Sequence, residues 1–67
     1  SKEKYLQKFI GKTLEVLSED IENGYLRGYS QEYVKCYLDK GDGDRLYEAV
    51  VEKVIDGTAY CRVVAEL

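Results

Sequence analysis

Two dipeptides, Asn23-Gly24 and Asp56-Gly57, constrain the fold of this chain more than any other feature. Each suits a tight hairpin turn whose central residues need positive φ, and each is flanked by segments rich in β-branched and aromatic residues. Around them the chain divides into short strands. Thr13–Leu17 alternates about Leu14 and Val16. Gly24–Tyr29 and Tyr33–Leu38 follow the first turn, and the loop 39–44 (DKGDGD) leads to a long strand over Leu46–Ile55 and a last one over Thr58–Val64. Five short strands in so small a chain predict an all-β fold, a small five-stranded antiparallel β-barrel over residues 11–67. Closure of this kind also removes exposed sheet edges. Residues 1–10 read as a short helix before the barrel, with Tyr5 and Phe9, and Leu6 and Ile10, at i and i+4, and with Gly11 as its stop.

The stretch GYLRGYSQEYVKCYL, 24–38, places Tyr25, Tyr29, Tyr33 and Tyr37 at every fourth position. A helix there would have to absorb Gly24, Gly28 and Ser30, so strands fit better. A turn over Ser30-Gln31-Glu32 sets Tyr29 opposite Tyr33, Arg27 opposite Lys35 and Tyr25 opposite Tyr37. One face then carries the tyrosines with the two cations, while Leu26, Gly28, Val34, Cys36 and Leu38 face the core. Aromatic rings interleaved with cations are the means by which proteins hold single-stranded nucleic acid, rings stacking on bases and cations meeting phosphates. The blander reading is that tyrosine simply suits the solvent side of a strand.

Charge bears on the choice. Residues 1–12 hold Lys2, Lys4, Lys8 and Lys12 against Glu3, whereas residues 13–67 carry twice as many acidic as basic side chains. An acidic barrel opposes strong nonspecific binding of a polyanion. Histidine is absent, which removes the commonest metal ligand and the easiest general base. Cys36 and Cys61 lie in apolar settings and read as buried thiols. Asp39, Asp42 and Asp44 do not follow the calcium-loop spacing and read as a solvated turn, and Glu19, Asp20 and Glu22 read as surface charge. No catalytic constellation emerges. No apolar run is long enough to span a membrane and no signal-peptide pattern opens the chain, so a cytoplasmic setting without membrane partners is expected.

FIGKTLEVLSED, 9–20, is similar to the start of the TRAM domain at the C-terminus of radical-SAM tRNA methylthiotransferases. There a helix end leads through Phe, a hydrophobic residue, Gly, Lys or Arg, and Thr-Leu-Glu-Val-Leu into the first strand. GYLRGYSQEYVKCYL resembles that family's next hairpin, especially in the branch acting on threonylcarbamoyladenosine, and YCRVVAEL resembles its last strand. Glu32 and Glu48 depart from the pattern, which often has Asn and Gly there. The resemblance implies an OB-like barrel that binds tRNA in the anticodon region, not DNA, and presents it to the catalytic domains of a parent enzyme. The parent would hold iron–sulfur clusters and S-adenosylmethionine; this chain would hold no cofactor and perform no catalysis. Residues 1–10 would be the end of a helix from the preceding domain. On this reading Tyr25, Tyr29, Tyr33 and Tyr37 offer stacking surfaces, Lys12, Arg27 and Lys35 meet phosphates, and Ser30 makes a polar contact to base or sugar. The alternative is a barrel that docks on the catalytic core without touching RNA.

Overall fold

A computed structural model describes all residues, Ser1–Leu67. Helix α1 spans Lys2–Gln7, and five strands follow: β1 (Thr13–Glu22), β2 (Tyr25–Ser30), β3 (Lys35–Leu38), β4 (Leu46–Ile55) and β5 (Thr58–Glu66). They close into the expected barrel in the order β1-β2-β3-β5-β4. Four of the five pairings are antiparallel and β3 runs parallel to β5. The parallel pair follows from the count: directions cannot alternate all the way round a ring of five. No helix is long and apolar enough to cross a membrane.

The regular helix is shorter than the apolar spacing suggests. Phe9 and Ile10 donate to the carbonyls of Leu6 and Gln7, the tighter three-residue pattern that ends helices, and Gly11 stops the chain at φ +84°. Ser1 caps the start by accepting from the Lys4 amide at 3.2 Å. Leu6 is buried in the same core as Val16, Cys36, Leu38, Ala49 and Val51, so α1 packs on the barrel. Glu3 fastens the helix start to the β4–β5 turn by accepting from the Gly57 amide at 2.9 Å.

Strand β1 runs five residues further than its hydrophobic alternation shows, because its second half pairs only with β2. At the crossing from one partner to the other sits Ser18, fully buried. Its hydroxyl accepts from the Arg45 amide at 3.0 Å and donates to the Asp42 carbonyl at 2.6 Å, tying down the loop that precedes β4. Asp39 in this loop accepts from the Val63 amide at 2.9 Å, so this acidic stretch serves the closure of the barrel.

The register of β2 on β3 differs from the expected one by two residues. Arg27 faces Tyr37, and Tyr29 faces Lys35. The turn is Gln31–Tyr33 instead of Ser30–Glu32, because the Ser30 hydroxyl accepts from the amides of Glu32 (3.2 Å) and Val34 (3.1 Å) at its mouth. Tyr33 takes the left-handed position at φ +64°. A shift of two keeps every side chain on its predicted side, so Leu26, Val34, Cys36 and Leu38 do face the core.

Gly28 is required by close approach. A Cβ there would meet the Leu17 carbonyl oxygen at 2.5 Å and a Val16 methyl at 2.8 Å. Gly28→Ala must push β1 away from β2, at a cost of about 2 kcal/mol, or roughly a 10 °C fall in Tm for a domain of this size. A thermal melt of the variant checks this; an unchanged Tm would contradict the close strand crossing.

Candidate nucleic-acid interface

Strict alternation along β1 places Leu14, Val16 and Ser18 inside and would send Asp20 and Glu22 inside as well. It does not continue: Ser18 pairs with Gly28, Asp20 with Arg27, and Glu19 is left without a partner. This single-residue bulge reverses the sides. Asp20 and Glu22 therefore lie outside, along the hairpin that carries the predicted site. A second bulge does the same in β4. Val51 pairs with Cys61 and Lys53 with Tyr60, so Glu52 is extra and Lys53 turns outward.

The two bulges complete one outward row that crosses all five strands: Asp20, Arg27, Tyr37, Tyr60 and Lys53. Tyr25 leans into it. Its ring stacks on Tyr37 at 5.0 Å with the two planes parallel, and Tyr60 stands edge-on to both at 5.3 Å. Lys53 holds its ammonium 5.1 Å from the centre of the Tyr60 ring. A cleft of about 180 Å³ lies between these rings, Asp39 and Glu52.

The predicted site residues divide within this frame. Tyr25 is 40% exposed. Tyr37 points outward yet is only 5% exposed, covered by its ring neighbours and fixed by its hydroxyl, which donates to Glu22 at 2.5 Å and accepts from Asn23 at 3.0 Å. Arg27 makes a two-pronged pair with Asp20 at 2.7 and 2.8 Å, and Lys35 pairs with Glu22 at 2.5 Å. Tyr29 lies under the Arg27 guanidinium and belongs to the neighbouring outward row. Tyr33 lies at the hairpin tip, exposed and away from the aromatic row. Ser30 is buried, its hydroxyl committed to the turn. Lys12 sits at the opposite end of β1, where its carbonyl accepts from the Val51 amide. Tyr60 and Lys53 were absent from the predicted set. Tyr60 has a sequence signal, since it alternates with Ala59 and Cys61; Lys53 has none, because the Glu52 bulge reverses its side.

Hydrogen bonds from Arg27 hold the Asp20 carboxyl below its usual range, and those from Lys35 and then Tyr37 do the same for Glu22. In return Asp20 raises Arg27, and Glu22 raises both Lys35 and the Tyr37 hydroxyl. Every cation of the hairpin is thus engaged by a carboxylate. Lys2, Lys4, Lys8, Lys12, Lys40 and Lys53 have no acidic partner. Cys36 and Cys61 are free, buried thiols, and contact with Cys61 together with burial pushes Cys36 well above the ordinary thiol range, which makes it a poor nucleophile.

Neither the known protein families nor the curated proteins contain a match to this chain.

Because the Asp20 and Glu22 carboxyls are depressed on folding, their stabilisation is complete above the unfolded carboxylate range, about pH 4. It disappears as pH falls through their lower folded values. Thermal melts from neutral to strongly acidic pH should show Tm falling over that window, with a shallower fall in Asp20→Asn/Glu22→Gln. Equal acid slopes for the two proteins would mean that these pairs do not hold the hairpin.

Proposed function

We propose that this barrel is a tRNA-binding domain acting in the cytoplasm. It would help present the adenosine beside the anticodon to the methylthiotransferase domains of a parent protein, itself supplying contact and no catalysis. Iron–sulfur clusters and S-adenosylmethionine would belong to the parent. The resemblance of residues 9–20, 24–38 and 60–67 to TRAM domains supports the family reading. The observation that carries the RNA contact is the aromatic corner of Tyr25, Tyr37 and Tyr60 beside Lys53, a cation with no carboxylate partner.

A splayed base can stack on the exposed face of Tyr25 or Tyr60, at about 1–3 kcal/mol for each base. Lys53 would meet the adjoining phosphate. Arg27 and Lys35 can meet phosphate only by exchanging one acidic partner for another, so they add little net attraction. Affinity on this reading is low and carried by stacking, and salt dependence is shallow because few phosphates are neutralised.

Amide shifts of the labelled protein during titration with an anticodon stem-loop RNA, at low and at physiological salt, test the reading. Shifts should gather at residues 25, 37, 53 and 60 and saturate. Tyr60→Ala should weaken binding about fivefold or more, and Lys53→Glu should remove what salt dependence there is. No saturable shift at millimolar RNA would overturn the proposal.

A further inference from the structure

A different surface invites a different partner. Beside the tyrosine row runs a second outward row, Leu46, Leu17 and Tyr29, on the adjacent strands β4, β1 and β2. Leu17 is 52% exposed and Leu46 39%. With Tyr33 they line an open cleft of about 340 Å³ that Glu15 and Glu19 border. Two aliphatic side chains placed directly opposite each other on the solvent side of a barrel lose their burial energy unless something covers them.

Tyr33 adds an independent sign. The residue is 89% exposed, and its backbone is held in the left-handed region, costly for a residue with a Cβ. Glycine would serve that turn position better. The Ser30 hydroxyl and the Tyr33 amide bond to the Ser30 carbonyl (2.9 Å) fix the turn, so the ring is presented from a rigid base. Exposed, pre-positioned tyrosines are typical anchors of protein interfaces.

The charge at the margin selects the occupant. Glu15 and Glu48 stand directly opposite each other across the β1–β4 ladder, a mutually repulsive arrangement, and neither has a cation within ion-pair distance. Glu19 reaches only the far prong of Arg27, at 3.7 Å. An apolar strip with unneutralised carboxylates beside it repels phosphate and suits Lys or Arg flanking apolar side chains. A second copy fits poorly: its cationic segment, 1–12, already spends Leu6 and Phe9 on its own core, and a contact of that segment with this cleft would be head-to-tail instead of the isologous pairing that makes a simple dimer. We infer that the Leu17–Leu46–Tyr33 cleft docks a cationic amphipathic segment of a partner protein, the basic side chains resting on Glu15 and Glu48.

The test uses the labelled chain and three synthetic peptides of one length: an amphipathic Lys/Leu peptide, its Glu/Leu counterpart, and a Lys/Ser peptide of equal charge. The Lys/Leu peptide should give saturable amide shifts at residues 15, 17, 29–33, 46 and 48, the Glu/Leu peptide none, and the Lys/Ser peptide much weaker ones. Tyr33→Gly should weaken Lys/Leu binding about tenfold or more while melting at or above the parent temperature, since glycine relieves the left-handed strain. Glu15→Gln/Glu48→Gln should flatten its salt dependence. The inference fails if the Lys/Leu peptide does not bind, if its shifts gather elsewhere, or if Tyr33→Gly binds as the parent does. It fails equally if anticodon RNA shifts these residues, or if they shift with protein concentration alone, which would assign the cleft to RNA or to a second copy.

Discussion

A β-strand gives each side chain one side of the sheet, and only an extra residue can reverse that assignment. In this barrel three such residues interrupt the alternation, Glu19, Glu52 and Val64, and the first two decide what the hairpin side of the outer surface is made of. Had β1 alternated without interruption, Asp20 and Glu22 would point into a core lined by Val16 and Leu38, where unpaired carboxylates are prohibitively costly. The bulge turns them out instead, beside Arg27, Lys35 and Tyr37. The bulge in β4 turns Lys53 out onto Tyr60. Ser18 and Gly28 are the fixed points around which this happens, one knotted to the loop before β4 and the other pressed against the Leu17 carbonyl.

The electrostatic character of the barrel follows. A hairpin whose cations were free would form a positive platform; with Asp20 and Glu22 beside them it is close to neutral, and the rings between them are locked together. Tyr37 passes from a ligand-facing residue to the centre of an aromatic cluster, with Tyr25 and Tyr60 as its accessible flanks. The unpaired charge lies elsewhere: positive on Lys53 and along α1, negative at Glu15 and Glu48. Two surfaces of opposite preference result, one of rings with a lone cation, the other of aliphatic side chains beside carboxylates.

Much of this fold was legible in the residues. Asn23-Gly24 and Asp56-Gly57 mark real turns, each with its first residue at positive φ, and Leu14, Val16, Leu26, Cys36 and Leu38 point inward where alternation puts them. Closure into a five-stranded barrel is legible too, but its antiparallel pairing is not complete: a ring of five must hold a parallel pair, and the strand order places it at β3–β5. Two things were not legible. The hairpin register turned on whether the Ser30 hydroxyl sits inside the turn or at its mouth, and both choices satisfy the same turn preferences. The bulges leave no mark in composition, since Glu19 and Glu52 are ordinary surface residues; their extra position shows only in which neighbours pair. That is why Asp20 and Glu22 read as unattached surface charge, and why nothing in the sequence marks Lys53.

Cross-strand backbone NOEs around Arg27 test the central claim most directly. The bulged strand predicts contacts from Arg27 to Asp20, with Gly28 still opposite Ser18. Contacts from Arg27 to Glu19 instead would mean regular alternation. The carboxylates would then leave the hairpin face, and the account of its neutrality, and of where partners bind, would be contradicted.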